Sequence, residues 1–220
     1  MNLLVRYYRL KGLYLFICIV FANLILIWLS RRVLINETVF YNTFSEQLTY
    51  DRSIKLFENM NNMAWISYAF TPVILLIKFS LVSLLLYTGI IICNLQEKVS
   101  LKSVFKVVIA CEFIFLGAGL FKFLWFYLFA GNYDLNDLGF FYPLSIINFF
   151  SPSEVSRFWI YPLQSVNLFH VCYIISIAYG LSKVSELEKA DSEKIVLLSY
   201  LPGLFLWIVL IMFLTIETSV

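Results

Sequence analysis

Charge is what this chain of 220 residues has least of. Asp, Glu, Lys and Arg make up 14% of it, against about a quarter in a soluble domain. That deficit excludes a protein that keeps most of its surface in water. Histidine is scarcer still, with His170 alone. One histidine builds no ordinary zinc or haem centre without cysteine or carboxylate help. Cys18, Cys93, Cys111 and Cys172 form no C-x-x-C pair, so they suggest neither zinc nor a dithiol redox motif. They read as free thiols used as small apolar residues. The chain contains no G-x-S-x-G and no H-E-x-x-H. No catalytic residue, no metal site and no cofactor is therefore expected. A net charge of +2, without a basic stripe, points away from a nucleic-acid partner.

What the sequence has in excess is apolar: 61% hydrophobic and 19% aromatic. The excess collects into runs long enough to cross a bilayer, which takes roughly 20 residues at 1.5 Å each. Five spans are predicted, about 13–30, 71–94, 104–130, 159–181 and 195–216. Backbone groups in lipid must be satisfied within the segment, so these are helices, and no alternating ten-residue pattern suggests a barrel. The predicted fold class is all-α, a polytopic transmembrane helical bundle over one domain, 1–220, with short interfacial helices in its two outer connections. Its first partner is the lipid bilayer.

The second apolar run begins near residue 65 and is too long for one crossing. Thr71-Pro72 divides it, because threonine caps helices and proline suits the first helical position. A helix starting near Thr71 is expected, with an interfacial stretch before it. At the N-terminus, Arg6, Arg9 and Lys11 precede an apolar run as in a signal sequence. The run is longer than a typical signal core and Ser30-Arg31-Arg32 follows it, so an uncleaved first span is expected.

Two connections are more than linkers. In 45–63, Ile54, Phe57, Met60 and Met63 recur at helical spacing between Asp51, Arg52, Lys55 and Glu58, which predicts an amphipathic helix on the membrane. Residues 138–152 are apolar but broken by Pro143 and Pro152, which fits an interfacial or re-entrant element. "DLND" at 134–137 reads as a polar turn and "GAG" at 117–119 as close helix packing. The sequon Asn36-Glu37-Thr38 lies too near the first span to carry weight. Basic residues divide nine to five between the two sides: Arg6, Arg9, Lys11, Lys98, Lys102, Lys106, Lys183, Lys189 and Lys194 against Arg31, Arg32, Arg52, Lys55 and Arg157. The excess places the N-terminus in the cytoplasm and the C-terminus outside.

Ionisable groups within spans are functional candidates by default. Lys78, Glu112, Lys122 and His170 are the candidates. With span centres near 82, 117 and 170, His170 falls near the midplane. Glu112 falls roughly 7 Å to the cytoplasmic side, and both lysines fall toward the outer leaflet. Lys78 and Lys122 are expected to snorkel. Glu112 has short reach, so it needs a neighbouring helix or water. A relay from Glu112 to His170 requires the third and fourth spans to face each other. Gln164, Asn167 and His170 recur every third residue, a stripe that hydrogen-bonds between membrane helices at about 0.6–2 kcal/mol per bond.

The five-span layout, with the polar segment "AYGLSKVSELEKAD" (178–191) between the last two spans and Gly180, Lys189 and Ala190 within it, resembles the Yip1 family over roughly residues 65–215. The resemblance implies a non-enzymatic integral membrane protein acting through protein or lipid partners, in a short form like that of bacterial members, and hence the bacterial cytoplasmic (inner) membrane. The functional expectation is a scaffold or accessory subunit of a larger membrane assembly, bound to other membrane proteins. The alternative is a permease-type subunit that moves a small solute or protons past Glu112 and His170. These differ in one respect: a permease unites Glu112, His170 and Gln164 in one polar cavity, whereas a scaffold satisfies each separately.

Overall fold

A computed structural model describes residues 11–45, 47–184 and 187–217. Arg6 and Arg9, counted above in the charge asymmetry, lie outside the described residues. The described chain is helical and carries no named strand. Among the described residues, four helices are long and apolar enough to cross a membrane: α1 (Gly12–Leu34), α4 (Ala64–Ile92), α5 (Leu101–Leu128) and α9 (Lys189–Glu217). Between α1 and α4 lie α2 (Glu37–Phe44) and α3 (Tyr50–Asn62). After α5 come α6 (Leu135–Phe140), a 3-10 turn at Ile146–Phe149, α7 (Arg157–Ser165) and α8 (Leu168–Val184).

Side-chain contacts fix the direction of each long segment. Cys111 faces Ser176 and Phe121 faces Phe169, so α5 and α8 run antiparallel. Tyr161 on α7 accepts from the Trp207 indole at 2.9 Å, and Tyr173 on α8 meets Tyr200, so α7 and α8 taken together run antiparallel to α9. Gly89, late in α4, lies against Ser199, early in α9. A Cβ on Gly12 lies 3.7 Å from Lys106, whereas at the far end Tyr133 donates to the Leu34 carbonyl at 3.0 Å; α1 and α5 therefore run parallel. The chain thus alternates direction through α1, α4, α5, α7–α8 and α9. Its main core fills one half of the bundle, around Phe79, Ile90, Val108, Ile109, Ile177 and Ile195, each 1% exposed or less. A smaller cluster of Leu34, Phe123 and Phe126 closes the other half.

Several expected boundaries are corrected. α4 starts at Ala64, not at Thr71, and holds Pro72 inside it. Thr71 does not cap; its hydroxyl donates back to the Ser67 carbonyl at 2.6 Å. Proline costs α4 only one backbone donor, and two turns of apolar sequence precede it, so helix propagation outweighs that loss. The expected fourth span, 159–181, is two helices, with Pro162 inside α7 and the break beyond it at Val166-Asn167. α1 and α9 each contain a π-helical turn, Ser30–Leu34 and Val196–Tyr200.

The connection between α1 and α4 holds the helices α2 and α3, and the one after α5 holds α6 and a 3-10 turn. The apolar stripe of α3 turns Phe57 onto Phe40 of α2 at a ring separation of 5.6 Å. Met63 stays 64% exposed, so the stripe is shared between protein and surroundings. The sequon asparagine caps a helix: Asn36 Oδ1 accepts from the Val39 amide at 2.9 Å at the start of α2. "DLND" is more ordered than a plain turn, because Asp134 and Asp137 form the capping box of α6. In "GAG", Gly119 does mark close packing: a Cβ there meets Leu26 of α1 at 2.6 Å, while Gly117 faces open space.

Candidate functional site: an ion pair beside a broken helix

Lys78 is the midpoint of α4, because the helix runs from 64 to 92. Glu112 sits within a few residues of the midpoint of α5, at a turn that separates Leu101–Cys111 from Phe113–Leu128. The two therefore meet near the middle of both helices, and Lys78 Nζ bonds Glu112 Oε1. This corrects the snorkelling expectation for Lys78. From the helix midpoint, either end is roughly 20 Å away at 1.5 Å per residue, far beyond the reach of a four-carbon stem. The expected depth difference between Lys78 and Glu112 came from starting α4 seven residues late.

The pair is asymmetric. The Glu112 side chain is 5% exposed and that of Lys78 42%. The ammonium lies 4.6 Å from the centre of the Phe115 ring, a cation–π contact. The same ring meets His170 at 4.8 Å and Tyr173 at 4.7 Å, and Tyr173 meets Tyr200 of α9 at 5.6 Å. One aromatic cluster thus joins α4, α5, α8 and α9 around the charges. Glu112 Oε2 and the Tyr173 hydroxyl, both buried, have no hydrogen-bond partner among the described residues.

The stripe of Gln164, Asn167 and His170 is not continuous, because the helix ends between its members. Asn167 stands before α8, and its Oδ1 accepts from the His170 amide at 2.8 Å as an N-cap. Its Nδ2 donates to the Gln164 carbonyl at 2.8 Å and lies 3.1 Å from His170 Nδ1. An amide N–H there makes Nδ1 the acceptor, an assignment from the network. Gln164 turns elsewhere: its Nε2 donates to the carbonyls of Gly139 and Phe140 at 2.7 and 2.8 Å, tying α7 to α6.

A non-helical segment mends the break. Ser145 and Asn167 form an antiparallel bridge, in which the Ile146 amide donates to Val166 and the Leu168 amide to Leu144, both at 3.1 Å. The Ser145 hydroxyl donates to the Leu163 carbonyl at 2.7 Å. These bonds satisfy backbone groups that the interrupted helix leaves open, as interior backbone requires.

Lys122 is half-buried six residues before the end of α5 and makes no hydrogen bond or ion pair among the described residues. Glu112 and His170 lie on packed helices, but Glu112 bonds Lys78 and His170 bonds Asn167, with Phe115 touching both His170 and Lys78. Among the described residues, no group of three or more His, Cys, Asp or Glu is placed to hold a metal ion. Chemically, the arrangement holds one fixed charge pair and one polar helix cap. The Cys111 thiol is 3.4 Å from the Ser176 hydroxyl, and His170 Nδ1 faces the Asn167 amide. No family model, no curated protein and no solved structure matches the chain.

Proposed function

We propose that the chain is a five-span integral membrane protein that serves as a non-catalytic scaffold or accessory subunit of a larger membrane assembly. The observation that carries this reading is the exposure of Lys78. Its side chain is 42% exposed at the midpoint of α4, a depth where the bilayer offers no water. A half-covered ammonium there is costly in lipid, and a helix of another subunit relieves that cost. Ile74 and Ile77 beside it are 59% and 54% exposed, so the surface around the charge is apolar, as a membrane-embedded contact requires. The separate bonding of Glu112, His170 and Gln164 supports the same reading.

The fifth crossing is α7 with α8. Alone, α8 has 17 residues, about 25 Å at 1.5 Å per residue, slightly short of the hydrocarbon core. The antiparallel contacts of α8 with α5, and of α7 and α8 together with α9, support counting both as one interrupted span, with 141–150 as a re-entrant element against the interruption. The Yip1-like layout, the bacterial inner membrane and a cytoplasmic N-terminus belong to this same proposal. The excess of Lys11, Lys98, Lys102, Lys106, Lys183, Lys189 and Lys194 at one end over Arg31, Arg32, Arg52, Lys55 and Arg157 at the other supports the orientation.

The test is purification of the tagged chain in mild detergent, with mass spectrometry of what accompanies it. A stoichiometric membrane protein that disappears with Lys78→Leu/Glu112→Leu supports the proposal. A chain that purifies alone overturns it. A second reading, a permease-type subunit, draws on a specific observation: Glu112 Oε2 and the Tyr173 hydroxyl are buried without partners beside a broken helix, the kind of place where transporters bind substrate. Loss of solute or proton flux in liposomes carrying Glu112→Gln decides for it.

A further inference from the structure

The flank between α1 and α4 carries two adjoining hollows of opposite character. One, of about 620 Å³, is lined by Arg31, Arg32, Asn36 and Glu37, among others. The second, of about 320 Å³, is lined by Leu24, Ile25, Trp28 and Tyr68. Trp28 and Tyr68 line both, so the hollows form one continuous surface. From Arg32 to Leu24 is about 12 Å along α1, from the helix end toward its middle. Charge therefore sits where a membrane helix meets the headgroups, aromatic rings sit just below, and aliphatic side chains continue inward.

The two guanidiniums are available. Arg31 donates one N–H to the Met60 carbonyl at 3.2 Å, which fixes its position and leaves its other donors. Arg32 stacks over Trp28 at 5.8 Å. Neither joins an ion pair among the described residues. The π turn at Ser30–Leu34 sets both arginines at the rim. Against them stands one carboxylate, Glu37, so the rim is net positive and suits an anion. A planar guanidinium fork matches the oxygens of a phosphate diester. A soluble phosphate leaves the apolar lower hollow unused, whereas a lipid fills both.

We propose that this flank binds one glycerophospholipid, with its phosphate on Arg31 and Arg32 and one acyl chain along Leu24, Ile25, Trp28 and Tyr68. The site stands apart from Lys78, and its test is separate from that of the partner subunit.

The full chain, delipidated in mild detergent, is titrated with dioleoylphosphatidylglycerol and followed by native mass spectrometry. Dioleoylglycerol, with the same chains and no phosphate, and inorganic phosphate are the comparison ligands. The phospholipid is expected to bind at least about tenfold tighter than dioleoylglycerol, as charge-assisted hydrogen bonds of this strength imply. Inorganic phosphate leaves it bound. Arg32→Gln, which spares the Met60 contact, lowers phospholipid binding several-fold, and Arg31→Gln/Arg32→Gln lowers it further. Ile25→Trp, which fills the lower hollow, lowers it with no change in melting temperature. Equal binding of the two lipids, displacement by inorganic phosphate, or full binding by Arg31→Gln/Arg32→Gln overturns the proposal. So does a photo-crosslinker at Leu24 that captures a second copy of the chain or another protein in place of lipid.

Discussion

Lys78 and Glu112 stabilise the bundle only together. Removing one partner leaves an uncompensated charge at mid-depth, while removing both leaves an apolar contact. Glu112→Ala is expected to destabilise by about 2 kcal/mol or more, less than a fully buried pair because Lys78 is 42% exposed. Lys78→Leu/Glu112→Leu is expected to recover part of that loss. Thermal melts of the purified variants in one detergent read both, and an additive double variant contradicts the pairing. At Asn167, alanine removes the cap of α8 and is expected to cost about 1 kcal/mol, with serine restoring most of it.

The residue types of the site were legible in the sequence, since ionisable groups in apolar runs stand out. Their pairing was not. Placing the start of α4 at Thr71 moved the helix centre from 78 to about 82 and separated Lys78 from its partner in depth. Tyr173, buried at 1% exposure in the same cluster, carried no signal, because one tyrosine among fourteen looks like packing.

At the scale of elements, the break between α7 and α8 and the segment that mends it form one unit. The Ser145 hydroxyl holds the Leu163 carbonyl, so Ser145→Ala is expected to cost about 1 kcal/mol and to raise amide hydrogen exchange at Ile146 and Leu168. Unchanged exchange contradicts the role of the hydroxyl. α4 and α9 meet through a small residue. A Cβ on Gly89 lies 2.6 Å from Ser199 Oγ and 3.0 Å from the Ile195 carbonyl, so Gly89→Leu is expected to lower the melting temperature by several degrees or more. Long helices were readable because an apolar run of twenty residues has few other fates. The break was hidden because Gln164-Ser165-Val166-Asn167 contains neither glycine nor proline, and Pro162, the obvious breaker, lies inside α7. What ends the helix is a tertiary partner, the 144–146 backbone, and local sequence does not encode a partner's arrival.

Across the whole molecule, the chain alternates direction through its long helices. The same alternation leaves one face of α4 with an ammonium flanked by exposed isoleucines. The central claim is that a helix of another protein covers that face. Site-specific photo-crosslinking from position 74, one turn from Lys78, tests it most directly in intact membranes. The account predicts one dominant crosslinked protein from position 74 and none from position 205 on α9, where Phe205 is 65% exposed. The Lys78→Leu/Glu112→Leu background is expected to reduce that product strongly. Crosslinks from position 74 to lipid alone, or to the same mixture of proteins as from position 205, contradict the claim.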